Sequence, residues 1–260
     1  MKRIITHNGI MHADEITAIA LIKLFIDKEI KITRVSHETA GFEDYDFIID
    51  IGRKLDGKKY FDHHQYRGGK SSAGLIWNLI GKEKEYPKIS KLIDIVDKND
   101  VGIEKAKDFE YSNLLRCFNT KEYLDTIQDE AFLEAVSFAY TILKSFKEVE
   151  DSAKKAEEIV KNSYMFDSKP HILELDEFNP FWNVYVNGEK TPHIKVVVWK
   201  DVDSTYKAKI APKSQGSFKL NAKPFTQDKL ASFVHSAGYF AVFQSEENLK
   251  KYMEKYYKRI

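Results

Sequence analysis

Cysteine is almost missing from this sequence: Cys117 stands alone among 260 residues. One thiol makes no intramolecular disulfide and rules out a multi-cysteine zinc site. Its plain reading, favoured over a nucleophile, is a small buried apolar side chain in a reducing compartment. Net charge is missing as well. The 41 basic and 40 acidic residues leave +1 at neutral pH, so any preference for nucleic acid or membrane must come from a local patch. There is no long apolar run. The best stretch, Ala18 to Ile26, is broken by Lys23 and is too short to cross a bilayer. The basic start Met1-Lys2-Arg3 meets His7 and Asn8 before any apolar segment develops. A secretory leader is therefore not expected, and the cytoplasm is the expected location. No internal repeat or low-complexity tract appears.

What is present is a globular composition, 43% hydrophobic, in a chain long enough for one large or two small domains with a real core. Arg3 to Thr6, Ile30 to Ser36, Phe47 to Ile49 and Lys59 to Phe61 read as strands. Ala13 to Asp27, Ser72 to Ile80 and Ile89 to Val96 carry helical apolar spacing. Alternation of this kind predicts an α/β domain with a largely parallel sheet flanked by helices. Residues 122–164 read as mostly helical. Beyond them, prolines and glycines punctuate short strand-like runs such as His171 to Leu175, Ile194 to Trp199 and Tyr206 to Ile210, and a helix over Ser245 to Tyr257 closes the chain. The expected division is residues 1–165 for the α/β domain and 166–260 for a smaller α+β domain.

Several polar residues stand at the ends of these strands. His7 follows the first strand, and His12 and Asp14 stand where the next helix begins. In parallel sheets, ligands bind beyond the carboxyl ends of the strands. Two imidazoles and a carboxylate there suit a borderline divalent cation, although Asp14 and Glu15 also complement a helix dipole. Asp50 follows the apolar run Phe47-Ile48-Ile49, where burial without a partner is expensive. Asp62-His63-His64-Gln65 ends the next strand. Asp56-Gly57 is a two-residue hairpin signal. With that turn, Asp50 lies opposite His63; with parallel strands, both lie at neighbouring strand ends, so either topology joins them. Asp94, Asp97 and Asp100 crowd a helix C-terminus against its dipole.

In order, Thr6-His7-Asn8-Gly9 with His12-Ala13-Asp14-Glu15, Asp50-Ile51-Gly52, Asp62-His63-His64-Gln65, Ser71-Ser72-Ala73-Gly74 and Val96-Asp97 resemble the Myg (melanocyte proliferating gene) family, allied to the DHH phosphoesterases. Pro212-Lys213, Ser217-Phe218 and Phe233-Val234-His235-Ser236-Ala237-Gly238-Tyr239 extend the resemblance into the second half. The resemblance implies a metal-dependent phosphodiesterase, most simply a 3′-to-5′ exoribonuclease. His7, His12 and Asp50 would hold one divalent ion, and Asp14, Asp50, His63 and Asp97 the other, with Asp50 shared. Manganese is the first choice, ahead of magnesium, zinc or iron. His64 would face the substrate phosphate and Asp62 would support the histidines. The chain departs from many DHH enzymes at His12, where they often carry aspartate, and by one extra residue between His7 and His12. Two divalent ions outweigh the three aspartates, which favours an anionic substrate activated for attack by water.

Residues 206–229 hold six lysines against one aspartate, with Tyr206, Phe218 and Phe225 interleaved. Lysines of this kind bind phosphates and aromatics stack on bases, although a solvated lysine face over core aromatics has the same composition. The resemblance assigns substrate binding to Lys213 and His235, with Gly238 allowing close backbone approach. The expected partner is single-stranded RNA or a short oligonucleotide, with no membrane, and nothing opposes a homo-oligomer. Hydrolysis of dinucleotides or pyrophosphate, and non-catalytic binding of metal and nucleic acid, are the alternatives.

Overall fold

The computed structural model describes residues 1–66, 68–119 and 125–258. Residues 122–124, the start of the expected helical stretch, lie outside these. Packing divides the chain into two compact units, Met1–Glu150 and Asp151–Ile260.

The first unit is built on four strands: β1 (Lys2–His7), β2 (Ile30–Val35), β3 (Phe47–Ile49) and β4 (Tyr60–Phe61). Their order is β2-β1-β3-β4 and every pairing is parallel. Helices α1 (Ala13–Phe25), α2 (Ser72–Ile80), α3 (Pro87–Asp100), α4 (Tyr111–Arg116) and the first part of α5 (Asp125–Asn162) complete it. Alternation along the strands sends Ile4, Phe47, Ile49 and Phe61 into the helical core with Ile16, Ile19, Trp77 and Ile93. The opposite side chains, Ile5 and Ile48, pack with Phe42, Ile51 and Tyr45 from the connecting segments.

Helix α1 is buried from Ala13 to Ile22, including the fully buried acids Asp14 and Glu15 in its first turn. Its amino end is closed by Glu15, whose Oε1 accepts from His12 N at 2.7 Å. Pro87 opens α3 at a position where no backbone donor is needed.

The Asp56-Gly57 hairpin does not form between β3 and β4. Asp56 Oδ1 accepts from Lys58, Lys59 and Tyr60 N, which folds a small loop in which Leu55 bridges Phe61. The chain then enters β4 parallel to β3, pairing Ile48 with Tyr60 and Ile49 with Phe61. An aspartate that captures three successive amides stabilises a wider loop than a two-residue turn.

The second unit holds a mixed sheet in the order β5-β6-β7-β8-β10-β9, from β5 (Tyr164–Met165), β6 (Ile172–Leu175), β7 (Val196–Lys200), β8 (Tyr206–Ile210), β9 (Phe233–Val234) and β10 (Phe240–Phe243). Only β6 and β7 run parallel. The terminal helix α6 (Glu246–Tyr257) buries Leu249, Tyr252, Met253 and Tyr257 on this sheet. Ser245 caps it by accepting from Asn248 N.

Candidate metal centre

The parallel register gathers the chemistry at one edge of the first sheet. Ile5 is level with Ile48 and Ile49 with Phe61, so His7, Asp50 and Asp62 leave adjacent strands at the same carboxyl edge. Asp50 turns there with φ +56°, a left-handed conformation that aspartate tolerates better than most side chains. Its buried carboxylate lies between two histidines: Oδ2 is 3.4 Å from His7 Nε2 and Oδ1 is 3.3 Å from His63 Nε2.

Three groups of ligand atoms follow, each within 4.8 Å internally: His7, His12, Glu15 and Asp50; Asp50, His63 and His64; and Asp14, His63 and Asp100. His7 Nδ1 is bound by the Asn8 carbonyl at 2.9 Å, which leaves Nε2 toward Asp50 and Glu15. That arrangement orients an imidazole as a metal ligand. His63 Nε2 lies 3.1 Å from Asp100 and 3.7 Å from Asp14. Asp14 Oδ1 and Glu15 Oε2 are buried with no hydrogen-bond partner. Fully buried, orphaned carboxylate oxygens beside imidazole nitrogens that face the same cluster are a donor set that suits a divalent cation.

The charges respond accordingly. Burial opposes protonation of His7, but the Asp50 hydrogen bond and the Glu15 charge outweigh it and raise the imidazole to about 9. His63 is raised to about 10 because its bonds to Asp100 and Asp50 likewise overcome burial. Burial lifts Glu15 to about 7 and drives Asp14 well above the carboxylate range, with the charge of Asp50 adding to it. Asp50 itself is held far below that range: its histidine contacts overcome its burial. His12 is lowered by burial and by His7.

The predicted site residues fall into distinct places. His7, His12, Asp14, Asp50 and His63 come together. Asp97 does not join any of the three groups. Its Oδ1 accepts from Ser71 N, Ser71 Oγ and Gly74 N at 3.0, 2.7 and 3.1 Å, so it caps the amino end of α2, and burial raises it despite those bonds. A Cβ on Gly74 would fall 2.3 Å from this carboxylate, which explains the glycine there. Next along α2, Ser72 Oγ lies 2.9 Å from Asp50 Oδ1, and Ser72 N donates to Asp14 Oδ2 at 3.2 Å. The helix amino end thus faces the acidic cluster, as its dipole favours. Asp62 holds His64, accepting from its backbone N at 2.9 Å and meeting its Nδ1 at 2.9 Å; its other oxygen accepts from Arg53 N.

In the second unit, Lys213 is exposed. His235 packs on Tyr239 with ring centres 4.4 Å apart, and its Nδ1 accepts from Ala237 N. Gly238, at φ +67°, is needed for the chain's own packing: a Cβ there would fall 2.5 Å from Pro224 and 2.9 Å from the Phe225 carbonyl. A cavity of about 350 Å³ nearby is lined by Trp182, Lys209, Pro212, Phe218 and Tyr239.

The sequence reading left Glu15 and Asp100 out of the candidate ligand set, and placed Ser72 only within the Ser71-Ser72-Ala73-Gly74 motif, with no role of its own. Glu15 carries the signature of a helix cap. Asp100 shares a helix face with Asp97, and spacing cannot choose between them.

A parallel α/β unit whose strand ends place an aspartate between two histidines offers a group of side chains that could hold a metal ion. The model of the MYG1 exonuclease family, described as an uncharacterised protein family (UPF0160), matches residues 3–229, and the chain belongs to that family. Among relatives, the "MYG1 protein YER156C" of Saccharomyces cerevisiae is 25% identical over 95% of this chain and 93% of its own length. The "MYG1 protein" of Chlamydia muridarum is 34% identical over 55% of this chain and 53% of its own. The human "MYG1 exonuclease" is 32% identical over 41% of this chain and 35% of its own. The chain is a nuclease-type phosphoester hydrolase by this membership. Among solved structures, RecJ in complex with Mg2+ from Thermus thermophilus covers all of this chain with half of its own at 12% identity, but the TM-score is 0.30, too low for a shared fold to be read from it.

Proposed function

We propose that the protein is a metal-dependent phosphodiesterase that shortens single-stranded RNA from its 3′ end, with two manganese ions held at the strand ends of the first unit. The observation that carries this reading is Asp50, buried, with one oxygen toward His7 and the other toward His63. His7, His12 and Asp50, beside Glu15, would hold one ion. Asp14, Asp50, His63 and Asp100 would hold the other, with Asp100 in the role that the family resemblance implies for Asp97. Bound divalent ions supply charge stabilisation and a nucleophilic water at neutral pH.

The protein's own groups do the rest. His64 is half-exposed and raised above its ordinary value, first by its hydrogen bond to Asp62, which favours its protonated form. With Nδ1 occupied by Asp62, Nε2 is left to bind a phosphate oxygen or protonate the leaving oxygen. Asp62 fixes that orientation. Ser72 holds Asp50 and Asp14 in place from the end of α2. In the second unit, Lys213 and His235 would bind the substrate.

Purified protein with manganese should degrade a 3′-end-labelled single-stranded RNA, releasing the label in the first turnovers. Asp50→Asn should lower the rate by more than about a hundredfold. Release of internal fragments before the label would contradict the polarity, and an active Asp50→Asn would contradict the site.

A further inference from the structure

Beside the metal-ligand cluster lies a cavity of about 850 Å³, formed by the β2–β3 and β3–β4 connections. Its volume falls in the range of small-molecule sites, roughly 300–1,000 Å³. His64 and Asp62 form part of its wall, so it adjoins the groups that would handle the reacting phosphate. His37 forms another part. One face of its ring stacks on His7, with centroids 4.7 Å apart and planes 16° from parallel, and the residue is otherwise exposed. A flat ring clamped on one side and open on the other is a stacking platform.

Arg53 and Lys54 also line the cavity. Arg53 is fixed by its backbone: it sits at φ +48°, and its N–H donates to the buried Asp62 at 2.7 Å. A strained non-glycine residue held by a buried carboxylate is a pre-organised one. Lys54 Nζ rests 4.2 Å from the centre of the Tyr60 ring. Among the described residues, neither cation has a carboxylate within ion-pair distance. Glu38 and Glu43 line the same space together with Phe42, so it suits neither a bare polyanion nor an apolar ligand. It fits a ligand that is anionic at one end and flat, with hydrogen-bond donors, at the other.

We propose that this cavity seats a nucleotide of the substrate strand, with its base stacked on the open face of His37 and its phosphate bound by Arg53 and Lys54. The proposal rests on the phosphodiesterase reading for the substrate class, and on cavity geometry for the site. It assigns strand recognition to a segment of the first unit outside the lysine-rich region. Arginine matches phosphate oxygens with two parallel N–H donors, and a stacked base adds affinity without demanding a particular sequence.

The test measures binding and turnover together. Binding uses a fluorescent five-nucleotide RNA with phosphorothioate linkages, followed by anisotropy. Turnover is compared on the unmodified RNA and on bis(p-nitrophenyl) phosphate, which has no base and one phosphate. Arg53→Ala and His37→Ala should each weaken RNA binding about tenfold and raise KM for RNA more than KM for the small diester. Arg53→Lys and His37→Phe should recover part of the loss. Unchanged RNA binding in both alanine variants, no RNA binding by the wild type, or equal losses on the two substrates would overturn the proposal. Wild-type binding that depends on Arg53 and His37 without turnover would uphold the cavity and overturn the hydrolase reading instead.

Discussion

Asp97 and Asp100 leave α3 from one face, because side chains three positions apart stand one above the other. One turn nevertheless separates a carboxylate that caps α2 from one beside His63. Asp97 spends one oxygen, Oδ1, on Ser71 and Gly74, whereas Asp100 reaches His63 at 3.1 Å. Asp97→Ala should therefore cost about 1–3 kcal/mol of stability and leave manganese affinity close to that of the wild type. Asp100→Ala should weaken manganese binding about a hundredfold with a smaller drop in melting temperature. Thermal unfolding and metal titration of the two variants check this, and the reverse pattern would restore Asp97 as the ligand. The sequence could not make this distinction, since the choice depends on which carboxylate lies near the end of α2. It could single out Asp50, which directly follows an apolar strand and must have a strong partner if buried, and with it His7 and His63 at neighbouring strand ends. His37 and Arg53 gave no signal, as a lone histidine and a loop arginine have the texture of solvated residues.

At the scale of elements, the amino end of α2 organises the acidic cluster. Ser71, Ser72 and Gly74 present three backbone N–H groups and two hydroxyls to Asp97, Asp14 and Asp50. Unsatisfied donors at a helix start are the natural partners of carboxylates. Gly74→Ala would drive a methyl group into Asp97 and should destabilise the metal-free protein by about 2 kcal/mol or more, read as a lower urea midpoint. A neutral result would mean that α2 and α3 are not this closely packed. The periodicity made α1, α2, α3 and the closing helix legible, because apolar spacing records burial directly. The route from β3 to β4 was less legible. Asp-Gly favours a tight hairpin by local propensity, and only the capture of three amides by Asp56 shows why the chain loops and re-enters parallel. Strands β5 and β9, with two residues each, are too short to leave a pattern.

At the scale of the whole molecule, the cluster couples folding, protons and metal. His7 and His63, raised to about 9 and 10, contribute stability that is fully present below about pH 6.5, their unfolded value, and is lost as pH climbs through 9 to 10. Glu15, raised to about 7, and Asp14 act in the same sense, because the folded state holds their protons more tightly than the unfolded chain. The metal-free protein should therefore lose stability as the solution becomes alkaline. Metal ligation requires neutral imidazoles and ionised carboxylates, so uptake must expel the protons these groups hold. The most direct measurement is calorimetric titration of the metal-free protein with manganese at pH 7, repeated in buffers of different ionisation enthalpy. Two ions per chain, net proton release, and loss of tight binding in Asp50→Asn are expected. A single ion, proton uptake, or tight binding that survives Asp50→Asn would contradict that expectation.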